Sequence, residues 1–169
     1  MKRIASFTVD HTVLEKGMYI SRIDGDVITY DVRMKKPNAN DYLPSPAAHT
    51  IEHLFATYAR NTREQSDIIY VGPMGCRTGF YFLTRDAIPH ERAIDIVRES
   101  MEFIANFSGE IPGNTARECG NYLEHDLDGA KRVAEDMSAV LSAWKTEDFW
   151  PFWIAPPVKR WSAFWGSAF

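Results

Sequence analysis

Only two cysteines occur in the 169 residues, Cys76 and Cys119, and they are well separated. That excludes a disulfide framework, and thiols used so sparingly in a reducing compartment more often ligate metal or do chemistry. The opening Met1-Lys2-Arg3-Ile4-Ala5-Ser6 carries charge with no apolar stretch behind it, and no run of about 18 apolar residues occurs anywhere. A soluble cytoplasmic protein with no membrane partner is the expectation. Basic runs never exceed two residues and the net charge is −4, so the electrostatic footprint of a nucleic-acid partner is missing. Repeats and low-complexity tracts are missing as well.

What is present suits one globular domain. Hydrophobic residues make up 45% and charged residues 25%, and the length suffices to bury a core without staples. From Asp26 to Lys36 the chain alternates, with Ile28, Tyr30, Val32 and Met34 set against Val27, Thr29, Asp31 and Arg33. This predicts a strand with one buried face. Pro44-Ser45-Pro46 opens a helix reaching about Thr62, in which Ala47, Ile51, Leu54, Phe55, Tyr58 and Ala59 recur at helical spacing. Strands are expected over Ser66–Met74 and from about Thr78 to Thr84, joined by a turn with Cys76 at its tip. A second helix follows Pro89 and ends near Phe107-Ser108-Gly109, and a third runs from Asp126 or Asp128 to about Trp144. The close strand pair at 66–84 predicts an antiparallel sheet packed against helices, an α+β fold. Residues 1–145 read as the domain. Residues 146–169 read as an aromatic and proline-rich extension, and all five tryptophans fall between Trp144 and Trp165.

His49-Thr50-Ile51-Glu52-His53 is the sharpest local pattern. Two histidines four apart on a helix share a face, with about 5–6 Å between Cβ atoms, so both imidazoles can reach one ion. Glu52, just before the second histidine, is placed to move protons near that ion. Cys119, beside Gly120 in a loop, is the natural third ligand, and two imidazoles with one thiolate suit Zn²⁺ or Fe²⁺. Cys76, between Gly75 and Arg77 on a tight turn, is a candidate base or nucleophile whose thiolate a nearby guanidinium would favour. The H-x-x-E-H order also occurs in inverted zinc peptidases. Those would want an acidic third ligand, for which Glu91, Glu99 or Glu102 could be offered. A non-catalytic, metal-stabilised binding module would keep the three ligands and have no use for Cys76 or Glu52.

Several separated motifs, taken together, resemble the S-ribosylhomocysteine lyase (LuxS) family. They are Ser6-Phe7-Thr8-Val9-Asp10-His11, Asp31-Val32-Arg33 with Pro37-Asn38, the His49–His53 pattern, Gly72-Pro73-Met74-Gly75-Cys76-Arg77-Thr78-Gly79-Phe80-Tyr81, and Cys119-Gly120-Asn121-Tyr122 with His125-Asp126-Leu127 and Gly129-Ala130-Lys131. The resemblance covers about residues 4 to 145. It implies a homodimeric α+β enzyme, with its active site near the subunit interface, that cleaves the thioether of S-ribosyl-L-homocysteine. The products would be L-homocysteine and a dihydroxypentanedione that serves as a bacterial signalling precursor. It implies one divalent ion per subunit, Fe²⁺ with Zn²⁺ or Co²⁺ as alternatives, held by His49, His53 and Cys119. Cys76 and Glu52 would form the acid/base pair. Ser6, His11 and Arg33 would line the sugar end of the pocket, partly from the neighbouring subunit, and Arg60 would lie near the homocysteine end. Tyr70 and Gly72 depart from the family pattern, which has an acid and a serine there.

Overall fold

Four strands and three helices account for most of residues 9–149, the part of the chain that the computed structural model describes. Strands β1 (Gly17–Asp24) and β2 (Val27–Arg33) form a hairpin. Helix α1 (Ser45–Ala59) follows, and then β3 (Ile68–Pro73) and β4 (Gly79–Arg85). Helices α2 (His90–Ala105) and α3 (Leu127–Leu141) come last. The sheet order is β1-β2-β4-β3 and every neighbouring pair is antiparallel. This is the expected α+β architecture.

Local chemistry accounts for the boundaries. Pro44 and Pro46 preset the first turn of α1, and Pro89 does the same for α2. The Asp126 side chain accepts from the Gly129 N–H, so it is the N-cap of α3 and that helix starts one residue later. In β2 the alternation predicted from sequence is realised, with Ile28, Tyr30 and Val32 facing the core. Arg33 breaks the pattern, because it belongs to the polar row and is nevertheless only 3% exposed.

The core lies between one face of the sheet and the helices. Tyr30 and Phe82 stack with centroids 6.0 Å apart, and Phe55 of α1 meets Phe82 at 5.6 Å. Val97, Met101 and Ile104 of α2, with Ala134, Met137 and Leu141 of α3, complete the layer. Each large side chain so buried contributes about 1.5–3 kcal/mol. Along α1, Ile51, Leu54, Phe55 and Ala59 point inward. With 3.6 residues per turn, His49, Glu52 and His53 are left on the opposite side of the helix, half-buried.

The first strand is a finding the pattern did not anticipate. Its opening residues, Gly17 to Ile20, are all buried rather than alternating, and a bulge between Ile20 and Arg22 breaks the register. The available signal was Asp24-Gly25-Asp26, a hairpin turn in which Gly25 adopts φ +62°. Beyond α3 the chain returns over this hairpin. The Trp144 Nε1–H donates to the Met18 carbonyl at 2.9 Å, and Arg98 donates to the carbonyls of Leu141 and Trp144. Phe149, four residues past the expected domain boundary, packs on Tyr30 and His90 at 5.6 and 5.4 Å. Ser6 and the rest of the tryptophan-rich tail, 150–169, lie outside the described residues.

Candidate metal centre and adjoining thiol

His49 and His53 stand one turn apart on α1 with their rings nearly perpendicular, 84° between planes and centroids 4.7 Å apart. The segment 106–126 folds over them. The His49 Nδ1–H donates to the Glu124 carbonyl at 2.8 Å and the His53 Nδ1–H donates to the Pro112 carbonyl at 2.7 Å. A carbonyl can only accept, so both protons are fixed at Nδ1 and both Nε2 lone pairs are free for an ion. Cys119, from the same segment, brings its Sγ to 3.3 Å from the His49 Nε2 and accepts from the Asn121 N–H at 3.4 Å.

A fourth residue joins them. One ligating atom from each of His49, His53, Cys119 and His125 lies within 4.8 Å of all the others. His125 was quoted above only as part of a motif, and the His-Asp pair opening α3 was the signal for it. The Thr50 hydroxyl holds it in place by donating to the Pro46 carbonyl at 2.9 Å and accepting from the Asp126 N–H at 3.0 Å and from His125 Nδ1 at 3.1 Å. Burial pushes the His125 imidazole below its ordinary value, and His49 and His53 add to the effect. The donor set of imidazole and thiolate fits a borderline divalent ion such as Zn²⁺ or Fe²⁺, and oxygen-seeking Mg²⁺ or Ca²⁺ do not match it.

Cys76 is not part of this group. It sits on the turn between β3 and β4, where the Arg77 N–H bonds to the Met74 carbonyl and Arg77 takes φ +56°. Gly79 follows because a side chain there would run into the Val32 backbone of β2. The guanidinium that reaches the thiol comes from across the sheet, not from the neighbouring residue. The Arg33 Nη1 lies 3.8 Å from the Cys76 Sγ, whereas Arg77 lies over the Tyr42 ring at 5.8 Å. Arg33 is held by both Asp31 oxygens, one at 3.0 Å, and also donates to the Thr78 hydroxyl. The Thr78 hydroxyl lies 3.0 Å from the Cys76 sulfur, and because a thiolate can only accept, Thr78 is the donor once the thiol ionises. Burial alone would push the Cys76 thiol up, but the Thr78 hydrogen bonds and the Arg33 charge outweigh it and hold the thiol below its ordinary value.

The remaining residues fall elsewhere. His11 is half-buried and its Nδ1 is bonded to the Val9 carbonyl at 3.0 Å. The Arg60 Nη2 donates to the Ile69 carbonyl on β3 at 2.7 Å. The exposed Tyr70 ring lies across Gly72, in the space a side chain there would fill.

A four-stranded α+β domain whose helix histidines and loop cysteine converge on one point defines a metalloprotein with a mixed nitrogen–sulfur site. Its family is equally clear: residues 4–148 match the S-ribosylhomocysteinase (LuxS) family, and the chain belongs to it. It is 49% identical over 136 residues to an S-ribosylhomocysteine lyase of Phocaeicola vulgatus, covering 78% of this chain and 84% of that protein. It is 45% identical to the S-ribosylhomocysteine lyase of Clostridium acetobutylicum, covering 83% and 92% of the two chains. Against the lyase of Borreliella burgdorferi the identity is 44%, with 88% and 98% covered. Among the described residues no helix is long and apolar enough to cross a membrane.

Proposed function

We propose that this chain is a metal-dependent lyase that cleaves the thioether of S-ribosyl-L-homocysteine, releasing L-homocysteine and a dihydroxypentanedione. The observation that carries the reading is the convergence of two tautomer-fixed histidines with Cys119 in a chain 44–49% identical to lyases of that name. His49, His53 and Cys119 would hold one divalent ion, Fe²⁺ in preference to Zn²⁺ or Co²⁺, and that ion would supply Lewis acidity to the sugar oxygens.

The substrate explains why two proton-moving groups are wanted. Its carbonyl starts at C1 and its thioether is at C5, so the carbonyl must migrate to C3 before the sulfur can leave. Each aldose–ketose step takes a proton from a carbon next to a carbonyl and returns one to the neighbouring carbon. The Cys76 thiolate, stabilised by Thr78 and Arg33, is suited to that exchange. Glu52 would take the final proton, at C4, as the C5–S bond breaks and homocysteine departs as its thiolate. Ser6 and His11 would line the sugar end and Arg60 the homocysteine end. Arg33, buried beside Cys76, would act at the sugar end through that thiol. The enzyme would work in the cytoplasm as a homodimer with the site near the subunit interface. The inverted-peptidase reading loses its footing, because none of the four clustered residues is a carboxylate.

The test is free-thiol release from S-ribosylhomocysteine by anaerobically metallated protein. Wild type should release thiol, and Cys76→Ala should bind metal but release none. Glu52→Gln should accumulate keto sugar with little homocysteine. Full turnover by Cys76→Ala would overturn the assignment of the thiol, and no turnover by metal-loaded wild type would overturn the substrate.

A further inference from the structure

The His125 Nε2 is buried and has no hydrogen-bond partner, the only such ring nitrogen among the described residues. Its protonation state follows from its neighbours. The Thr50 hydroxyl hydrogen is committed to the Pro46 carbonyl, so Thr50 can only accept from His125, and the His125 proton must sit at Nδ1. A bare, uncompensated lone pair is therefore kept at Nε2, inside the group formed with His49, His53 and Cys119. Leaving such an acceptor unpaired in the interior costs about 1–3 kcal/mol, which calls for a partner that the protein itself does not provide.

Ring geometry decides which partner. An imidazole binds an ion in its own ring plane, about 2.0–2.1 Å from the nitrogen. The His49 and His53 planes cross at 84°, so one ion can lie in both. The His125 ring is stacked on His49, with centroids 4.2 Å apart and planes only 18° from parallel. An ion lying in the His49 plane would be far out of the His125 plane. An ion held by His49, His53 and Cys119 would therefore have His125 one shell further out, with its Nε2 still inside the same group of side chains.

Resting on the metal reading above, we propose that His125 is a fixed hydrogen-bond acceptor for the hydroxyl that fills the ion's open position, a water in the resting enzyme and a sugar hydroxyl when substrate is bound. It selects a ligand that brings an O–H. It also orients that oxygen through the Thr50–Pro46 relay, without itself ligating the ion.

The experiment uses the full-length protein loaded with Co²⁺. Proton NMR of the wild type should show two hyperfine-shifted, exchangeable imidazole N–H resonances, from His49 and His53. Three resonances would make His125 a ligand and overturn the proposal. In a Cys76→Ala background that blocks turnover, the visible Co²⁺ spectrum then reports binding of S-ribosylhomocysteine. Adding His125→Ala should weaken that binding about five- to tenfold, the value of one hydrogen bond. The affinity for azide, which ligates without an O–H to donate, should be unchanged. Unaltered substrate binding, or equal loss for both probes, would refute the acceptor role. If Co²⁺ fails to bind one per chain, or still binds after His49→Ala, the metal reading itself fails, a result distinct from either.

Discussion

Replacing Arg33 by methionine should raise the pKa of the Cys76 thiol by about one pH unit. The guanidinium stands 3.8 Å from the sulfur, and two unit charges at that separation attract by about 4 kcal/mol at an effective dielectric of 20 but by about 1 kcal/mol in water. Cys76 is exposed, so the lower figure governs, and 1.36 kcal/mol corresponds to one pH unit. Thr78 keeps its hydrogen bond to the sulfur, so the thiol remains partly activated. The sign is fixed by the charge: losing a cation disfavours the thiolate, its titration moves up in pH, and its population at neutral pH falls. Asp31 would be stranded by the change, since its two oxygens hold Arg33 in a half-buried setting. Arg33→Met with Asp31→Asn removes both charges and keeps the protein testable if the single variant unfolds. The assay is the pH dependence of iodoacetamide labelling at Cys76, read by mass spectrometry of the peptide so that Cys119 does not interfere. Neutral-pH labelling should slow about five- to tenfold. An unmoved midpoint in the folded double variant would refute the claim that Arg33 tunes this thiol.

Thr50→Val, at a site with no exposure, leaves the His125 Nδ1–H without its acceptor and the Asp126 N–H with only its longer bond to the Pro46 carbonyl at 3.3 Å. At about 2 kcal/mol the melting temperature of a domain this size should fall by about 4–8 °C, checked by calorimetry. Burial would raise the Glu64 carboxyl, but Arg92 and Arg63 hold it down to about 2. Stability from a depressed carboxylate is full above its unfolded value near 4.5 and is lost as pH falls toward 2. Glu64→Gln should therefore flatten the denaturant midpoint across that window and change it little at pH 2.

The legible parts of the sequence were those governed by local rules. Proline placement set the starts of α1 and α2, period-two alternation marked β2, and helical spacing put His49, Glu52 and His53 on one side of a helix. Features set by strand register were not legible. Arg77 is the guanidinium next to Cys76 in sequence, yet Arg33 is the one that reaches it, because β2–β4 pairing places Arg33 opposite Gly79. β1 escaped because an edge strand with a buried start and a bulge has no period to detect. His125 was visible as a residue but not as a neighbour of His49, since 76 residues separate them and only the fold of segment 106–126 stacks the two rings.

Each outer strand of the sheet has a backbone oxygen engaged by a side chain from a helix end. Trp144 bonds to Met18 on β1, and Arg60 bonds to Ile69 on β3. An open ladder of carbonyls is the template on which another chain can add a strand, the first step of runaway aggregation. At these two points an incoming strand finds its acceptor already taken, so both residues double as gatekeepers. Substituting either should show first as concentration-dependent self-association, before any loss of fold.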